Sequence, residues 1–157
     1  MIDIRLNTNW LHQRVNISGE DSVFITSSGK TTYRQLADNV NNCTEFLLSK
    51  NINKGDRVGL LFTNSVDFII CIFSLWRLGA VPVPLNLRLS KSELDEQINF
   101  SELKLLIVEE CLTSNYDTIE FQHKVSFPTK FEVSSNINFP PESTNDGSTA
   151  LILFTSG

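Results

Sequence analysis

At 157 residues the chain is long enough for one ordinary domain with its own core, and 41% hydrophobic with 20% charged residues marks it as globular rather than disordered. A net charge of −5 argues against a nucleic-acid or anionic-membrane surface, so a small molecule or another protein is the expected partner. Three widely spaced cysteines, Cys43, Cys71 and Cys111, fit packed, reduced thiols of a cytoplasmic protein, and no apolar run of signal-peptide length opens the chain.

In chain order, "DSVFITSSGKTTY" (21–33) predicts two short strands joined by a turn at Ser28-Gly29. Leu36, Val40, Cys43, Phe46 and Leu47 then recur at helical spacing, and Thr32 with Gln35 forms a capping box at the helix start. A turn at Lys54-Gly55-Asp56 leads into a strand carrying Val58, Leu60, Leu61 and Phe62. Ser65 can cap a helix to about Leu78, with Gly79 as its left-handed stop. Its apolar run "FIICIFSLW" (68–76) is too short to cross a bilayer, so we expect a core helix buried on most sides. "AVPVP" (80–84) is extended, but its two prolines bar it from the middle of a regular ladder. Ser90 with Glu93 opens a polar helix to about Asn99, and "LKLLIVEE" (103–110) is a further strand.

This alternation predicts an α/β fold, a layered sheet with parallel pairs and flanking helices. We expect an α/β subdomain over 1–110 and a mostly exposed, Ser-, Asn-, Pro- and Thr-rich connecting segment over 111–148. The start of a further sheet and loop is expected over 149–157.

A phosphate-holding loop needs small residues that let backbone N–H groups approach the anion, and hydroxyls that donate to it. "FTSG" (154–157) after an apolar strand has that opening, although alone it reads more readily as a simple turn. No GxxxxGK[ST] occurs, and "SSGK" (27–30) reads as a hairpin turn. Asp95-Glu96 belongs to a solvated helix and Glu109-Glu110 to a strand end, with no facing partner to make either an acid–base pair. His12 and His123 are the only histidines, and nothing in the sequence sets either beside a cysteine. Arg88 lies in a loop after two prolines, where it can meet an anion or bond backbone carbonyls.

Four segments in order resemble the adenylate-forming enzymes, the superfamily of acyl-CoA ligases, luciferases and peptide-synthetase adenylation domains. They are "TTYRQLA" (31–37), "KGDRVGLLFTNSVDFI" (54–69), "WRLGAVPVPLNLRLS" (76–90) and "LILFTSG" (151–157), the last like the front of the family's Thr-Ser-Gly-Thr-Thr-Gly loop. The resemblance implies the N-terminal part of that family's large domain. It implies an ATP-binding, AMP-forming ligase that activates a carboxylic acid with Mg2+ and ATP, then passes the acyl group to CoA. By the same resemblance Thr155, Ser156 and Gly157 begin the loop that grips the ATP β- and γ-phosphates, and Arg88 occupies the place of an arginine for the phosphates of CoA.

The rest of the signature loop with its lysine, the acyl pocket, the ribose-binding acid and the C-terminal lid are not in this sequence. We therefore expect an N-terminal fragment cut inside its phosphate loop, without catalytic residues, inactive alone and prone to self-association through an exposed strand edge. "NWLHQRV" (9–15) resembles the opening of some o-succinylbenzoate–CoA ligases of menaquinone synthesis, which makes that acid the leading substrate, while the following segments also fit medium- or long-chain fatty acyl-CoA ligases. The alternatives are an adenylating enzyme that loads a carrier protein, and a non-catalytic truncated binding protein.

Overall fold

Local signals in the sequence set most of the boundaries in the structure, a computed structural model that describes residues 10–27, 29–131 and 149–154. Strands β1 (Ser22–Thr26) and β2 (Gly29–Thr32) pair antiparallel as the predicted hairpin, whose Ser28 lies outside the described residues. The Thr32 hydroxyl accepts the Gln35 amide and the Gln35 side chain accepts the Thr32 amide, so α2 (Tyr33–Ser49) opens on a complete capping box. Leu36, Val40, Cys43 and Leu47 are buried along its inner face, with Phe46 half-buried beside them.

Strand β3 (Arg57–Leu61) leads through the Ser65 cap into α3 (Val66–Leu78). Gly79 ends α3 at φ 66°, and the Ala80 amide reaches back to the Leu75 carbonyl at 2.9 Å, which satisfies a carbonyl the helix leaves open. A Cβ at Gly79 would stand 3.0 Å from Lys54 Cγ in a backbone region that side chains avoid. Gly79→Ala is expected to destabilise the fold by about 1 kcal/mol, read as a lowered urea midpoint with an unchanged slope.

After β4 (Val81–Pro84) come α4 (Lys91–Ser101), β5 (Leu105–Val108), a single 3-10 turn at Glu110–Leu112 and β6 (Lys124–Ser126). Strands β3 to β6 form one parallel sheet in the order β4-β3-β5-β6. The chain moves one way from β3 to β4 and back past β3 to reach β5. Right-handed crossovers then require helices on opposite faces, and that is the arrangement observed. Leu36, Leu47 and Leu75 of α2 and α3 pack with Leu60 and Ile107 on one face; Leu94 and Ile98 of α4 pack with Leu61, Leu106 and Val108 on the other. Covered on both sides, the strands read as continuous apolar runs.

The prolines of β4 act as the sequence implies, because β4 is an edge strand. Val81 and Leu85 turn their N–H groups inward to the Asp56 and Leu60 carbonyls, at 2.8 and 2.9 Å. By alternation Pro82 and Pro84 face outward, where they have no N–H to offer. That edge can accept hydrogen bonds but not donate them, and the Pro82 carbonyl accepts the Ile152 amide at 3.2 Å.

Three features depart from the sequence reading. A helix α1 (Trp10–Ser18) precedes the hairpin; it has no fully buried residue and docks by an edge contact of Trp10 on Phe73 and by Arg14 over the Tyr33 ring. Helix α3 is not buried on most sides. Ile70, Cys71, Ser74 and Leu75 make one buried face, while Trp76 is exposed and residues such as Phe73 are only half-covered. Within 111–131, read as exposed connection, β6 adds to the sheet and Ile119 and Phe127 enter the two cores.

Candidate functional site

The strand order reverses at β3, since its successor β4 lies on one side and β5 on the other. Open parallel sheets bind ligands beyond the carboxyl ends of their strands at such a point. Phe62, Thr63 and Asn64 leave β3 there, Leu85 to Arg88 leave β4, and Phe68 comes in on the first turn of α3. Together they line a cleft of about 420 Å3. Its floor is apolar, with Leu60, Phe62, Phe68, Pro84 and Leu85, and its rim is polar, with Thr63, Asn64, Asn86 and Arg88.

Arg88 is held by its backbone. Its amide donates to Asn86 Oδ1 at 3.0 Å, fixing the loop after β4. The side chain is exposed, and its guanidinium bonds no other described residue. Among the described residues no backbone carbonyl accepts from this side chain, and a guanidinium carries five N–H donors.

Beside that rim lies a buried carboxylate that the sequence reading placed at a strand end without a partner. Glu109, only 7% exposed, follows β5 directly, and its Oε2 accepts the Thr63 amide at 2.8 Å and the Thr63 hydroxyl at 2.7 Å. Burial pushes the Glu109 carboxyl up. The hydroxyls of Ser65 and Thr63, the Thr63 amide and the Cys111 thiol outweigh that effect, and its pKa lies below the ordinary value. Asp67, on the first turn of α3, is displaced the other way, by burial first and then by the Glu109 charge. Burial and the same carboxylate push the Cys111 thiol above its ordinary value, which favours the protonated form.

The remaining sequence candidates separate cleanly. Glu110, unlike Glu109, is exposed, and Asp95 forms a surface pair with Lys91 at 3.3 Å. His12 is exposed on α1. The Asp56 carboxylate of the Gly-Asp segment is spent on structure, accepting the Asn53 amide at 2.7 Å and Lys104 Nζ at 2.6 Å. Cys43 and Cys71, far apart in sequence, meet between α2 and α3, where burial and then the bond between them keep the Cys71 thiol protonated.

Thr155, Ser156 and Gly157 lie outside the described residues. The segment leading to them lies against the open edge of β4. Trp76 Nε1 donates to the Ala150 carbonyl at 2.6 Å, Ile152 bonds Pro82, and Phe154 meets Phe100 edge-on at 6.2 Å. Arg88 follows the same strand at its carboxyl end, and among the described residues no hydrogen bond or ring contact joins it to residues 149–154.

This parallel sheet with flanking helices is the N-terminal subdomain architecture of adenylate-forming enzymes. A Mycobacterium tuberculosis fatty acyl CoA synthetase superposes with a TM-score of 0.79 over 96% of this chain and 32% of its own, at 25% identity. The profile of the AMP-binding enzyme family matches residues 11–157, and the chain belongs to that family. A 2-succinylbenzoate–CoA ligase of Bacillus licheniformis is 31% identical over 156 residues, which cover 95% of this chain and 31% of the relative. A polyketide synthase–nonribosomal peptide synthetase of Aspergillus flavipes is 31% identical over 143 residues, 91% of this chain and 4% of the relative. The chain thus spans about a third of the length of the ligases it matches.

Proposed function

We propose that this chain works as the N-terminal part of an ATP-dependent carboxylate-activating ligase that forms an acyl-adenylate and then an acyl-CoA. The observation that carries this reading is the match to the AMP-binding family over residues 11–157, taken with an exposed Arg88 on the rim of the cleft whose guanidinium bonds no other described residue. The division keeps the order of the sequence reading but not its first boundary: the α/β subdomain runs past residue 110 to take in β6, a connecting segment follows, and a further sheet with its phosphate loop begins at 149–157. No helix among the described residues is long and apolar enough to cross a membrane, and we place the protein in the cytoplasm, where ATP and CoA are found.

The chemistry explains the residue types. A free carboxylate is a poor acyl donor because its leaving group would be oxide, whereas AMP leaves readily. Joining a carboxylate to ATP brings two anions together, which backbone donors, Mg2+ and cations must offset. Thr155, Ser156 and Gly157 suit the ATP phosphates, with small residues and two hydroxyls for close approach. Mg2+ arrives with ATP. Arg88 suits the phosphates of CoA, which a guanidinium can hold through paired hydrogen bonds.

Among acyl substrates we favour o-succinylbenzoate, and with it a role in menaquinone synthesis. "NWLHQRV" (9–15) supports this, as does the identity with a ligase named for that acid. In the full reading frame, Arg88→Gln is expected to leave carboxylate-dependent ATP–pyrophosphate exchange unchanged and to raise the KM for CoA about tenfold, the effect of losing one charge-assisted phosphate contact. An unchanged KM for CoA would remove Arg88 from the site. The kinship with a peptide synthetase favours a second reading, in which a carrier-protein thiol accepts the acyl group. Acyl transfer to a carrier, insensitive to Arg88→Gln, would decide for it.

A further inference from the structure

We infer that Glu109 is a positioning residue: its buried carboxylate fixes the Thr63–Asn64–Ser65 turn and so holds the polar rim of the cleft in register with Arg88. The inference rests on the reading of that cleft as the place where the CoA phosphates bind.

Glu109 continues the β5 ladder, its amide bonding the Leu61 carbonyl at 2.9 Å, so the register of the sheet fixes its backbone. From there the carboxylate reaches across to β3 and takes both donors of Thr63. The Ser65 hydroxyl, which helps keep that carboxylate ionised, accepts the Phe68 amide at 3.2 Å, while the Ser65 amide bonds the Thr63 carbonyl at 2.9 Å. One buried charge thereby ties the end of β3 and the cap of α3 to the central strand. The groups it ties down, Thr63, Asn64 and Phe68, are the wall of the cleft that also carries Arg88.

Among the described residues no Lys or Arg pairs with Glu109; the donors that compensate its charge are those of the turn and the Cys111 thiol. A carboxylate buried without a cation is costly unless several donors compensate it. The turn and the carboxylate therefore stabilise each other, and neither is well placed without the other.

The test uses the full reading frame with Glu109→Gln, Thr63→Val and Arg88→Gln, read by amide hydrogen exchange and by calorimetric titration with CoA. Glu109→Gln is expected to speed exchange over residues 63–68 while β5 stays protected, and to weaken CoA binding about tenfold. Arg88→Gln should weaken CoA binding without changing exchange, and adding Glu109→Gln to it should cost less than the sum of the two. Thr63→Val removes one donor without touching the carboxylate and should give a smaller effect of the same kind, which decides the matter if Glu109→Gln does not fold. Unchanged CoA affinity in Glu109→Gln and Thr63→Val, with Arg88→Gln still impaired, would overturn the positioning role alone. A wild-type protein that binds no CoA would overturn the reading of the cleft and this inference with it.

Discussion

Leu106→Ala should lower the unfolding free energy by about 3–5 kcal/mol, the upper part of the range for a buried leucine, because the space it leaves cannot close. Leu106 is fully buried on a central strand, and its partner across the parallel ladder is Gly59 of β3. Gly59 contributes no side chain there. A Cβ on it would come within 2.5 Å of Leu103 Cδ1 and 2.9 Å of Leu106 Cδ1, so these leucines already occupy the room above the glycine. Removing Leu106 opens a void beside a residue with nothing to fill it.

The reciprocal change sharpens the test. Gly59→Ala alone is expected to cost about 1 kcal/mol, the low end for overpacking, because the atoms it meets are flexible leucine ends. In the Leu106→Ala background the new methyl enters the void, and Gly59→Ala should cost less or become stabilising. Urea unfolding of the four proteins measures the cycle. Strict additivity of the two changes would contradict this packing account.

Glu109→Gln is expected to cost about 1.5–3 kcal/mol of stability at about pH 7, the range for hydrogen bonds to a charged group. The effect has a pH signature. The carboxyl's pKa in the fold lies below its ordinary 4.5, so its contribution is fully present above that value and is lost as pH falls through the lowered one. The gap between wild type and variant should therefore narrow as acid is added below about pH 4.5. Asp67 works against the trend, because its raised pKa means that ionising it disfavours the fold, and losing the Glu109 charge relieves part of that. The loss at neutral pH is a net value after this relief. A gap of equal size at about pH 3 would show that shape rather than charge is what Glu109 supplies.

What the sequence made legible was local. The Thr32–Gln35 and Ser90–Glu93 capping boxes and the Ser65 cap set helix starts through contacts three residues apart, and Gly79 and the β4 prolines act through their own backbones. Features built from distant contacts were not legible. Helix α1 has no apolar stripe, and its order comes from Phe73 and Tyr33, far along the chain. Strand β6 is three residues long and exists because β5 has a free edge to pair with, Leu106 bonding His123 and Phe127 bonding Val108.

The site divides in the same way. Arg88 could be singled out because two prolines and a loop isolate it. Glu109 looked like one of two acids at a strand end, and only the pairing of β3 with β5 sets it against Thr63. One signal was present: a carboxylate immediately after a fully buried strand must either be compensated or disfavour the fold.

The central claim, that this chain is the N-terminal part of a longer adenylating ligase, is tested most directly by the intact mass of the protein purified from its own cells. The account predicts roughly three times 17.7 kDa, because the ligase it resembles is matched over 31% of its length. A mass near 17.7 kDa would contradict the account and leave a binding role for the cleft in place of catalysis.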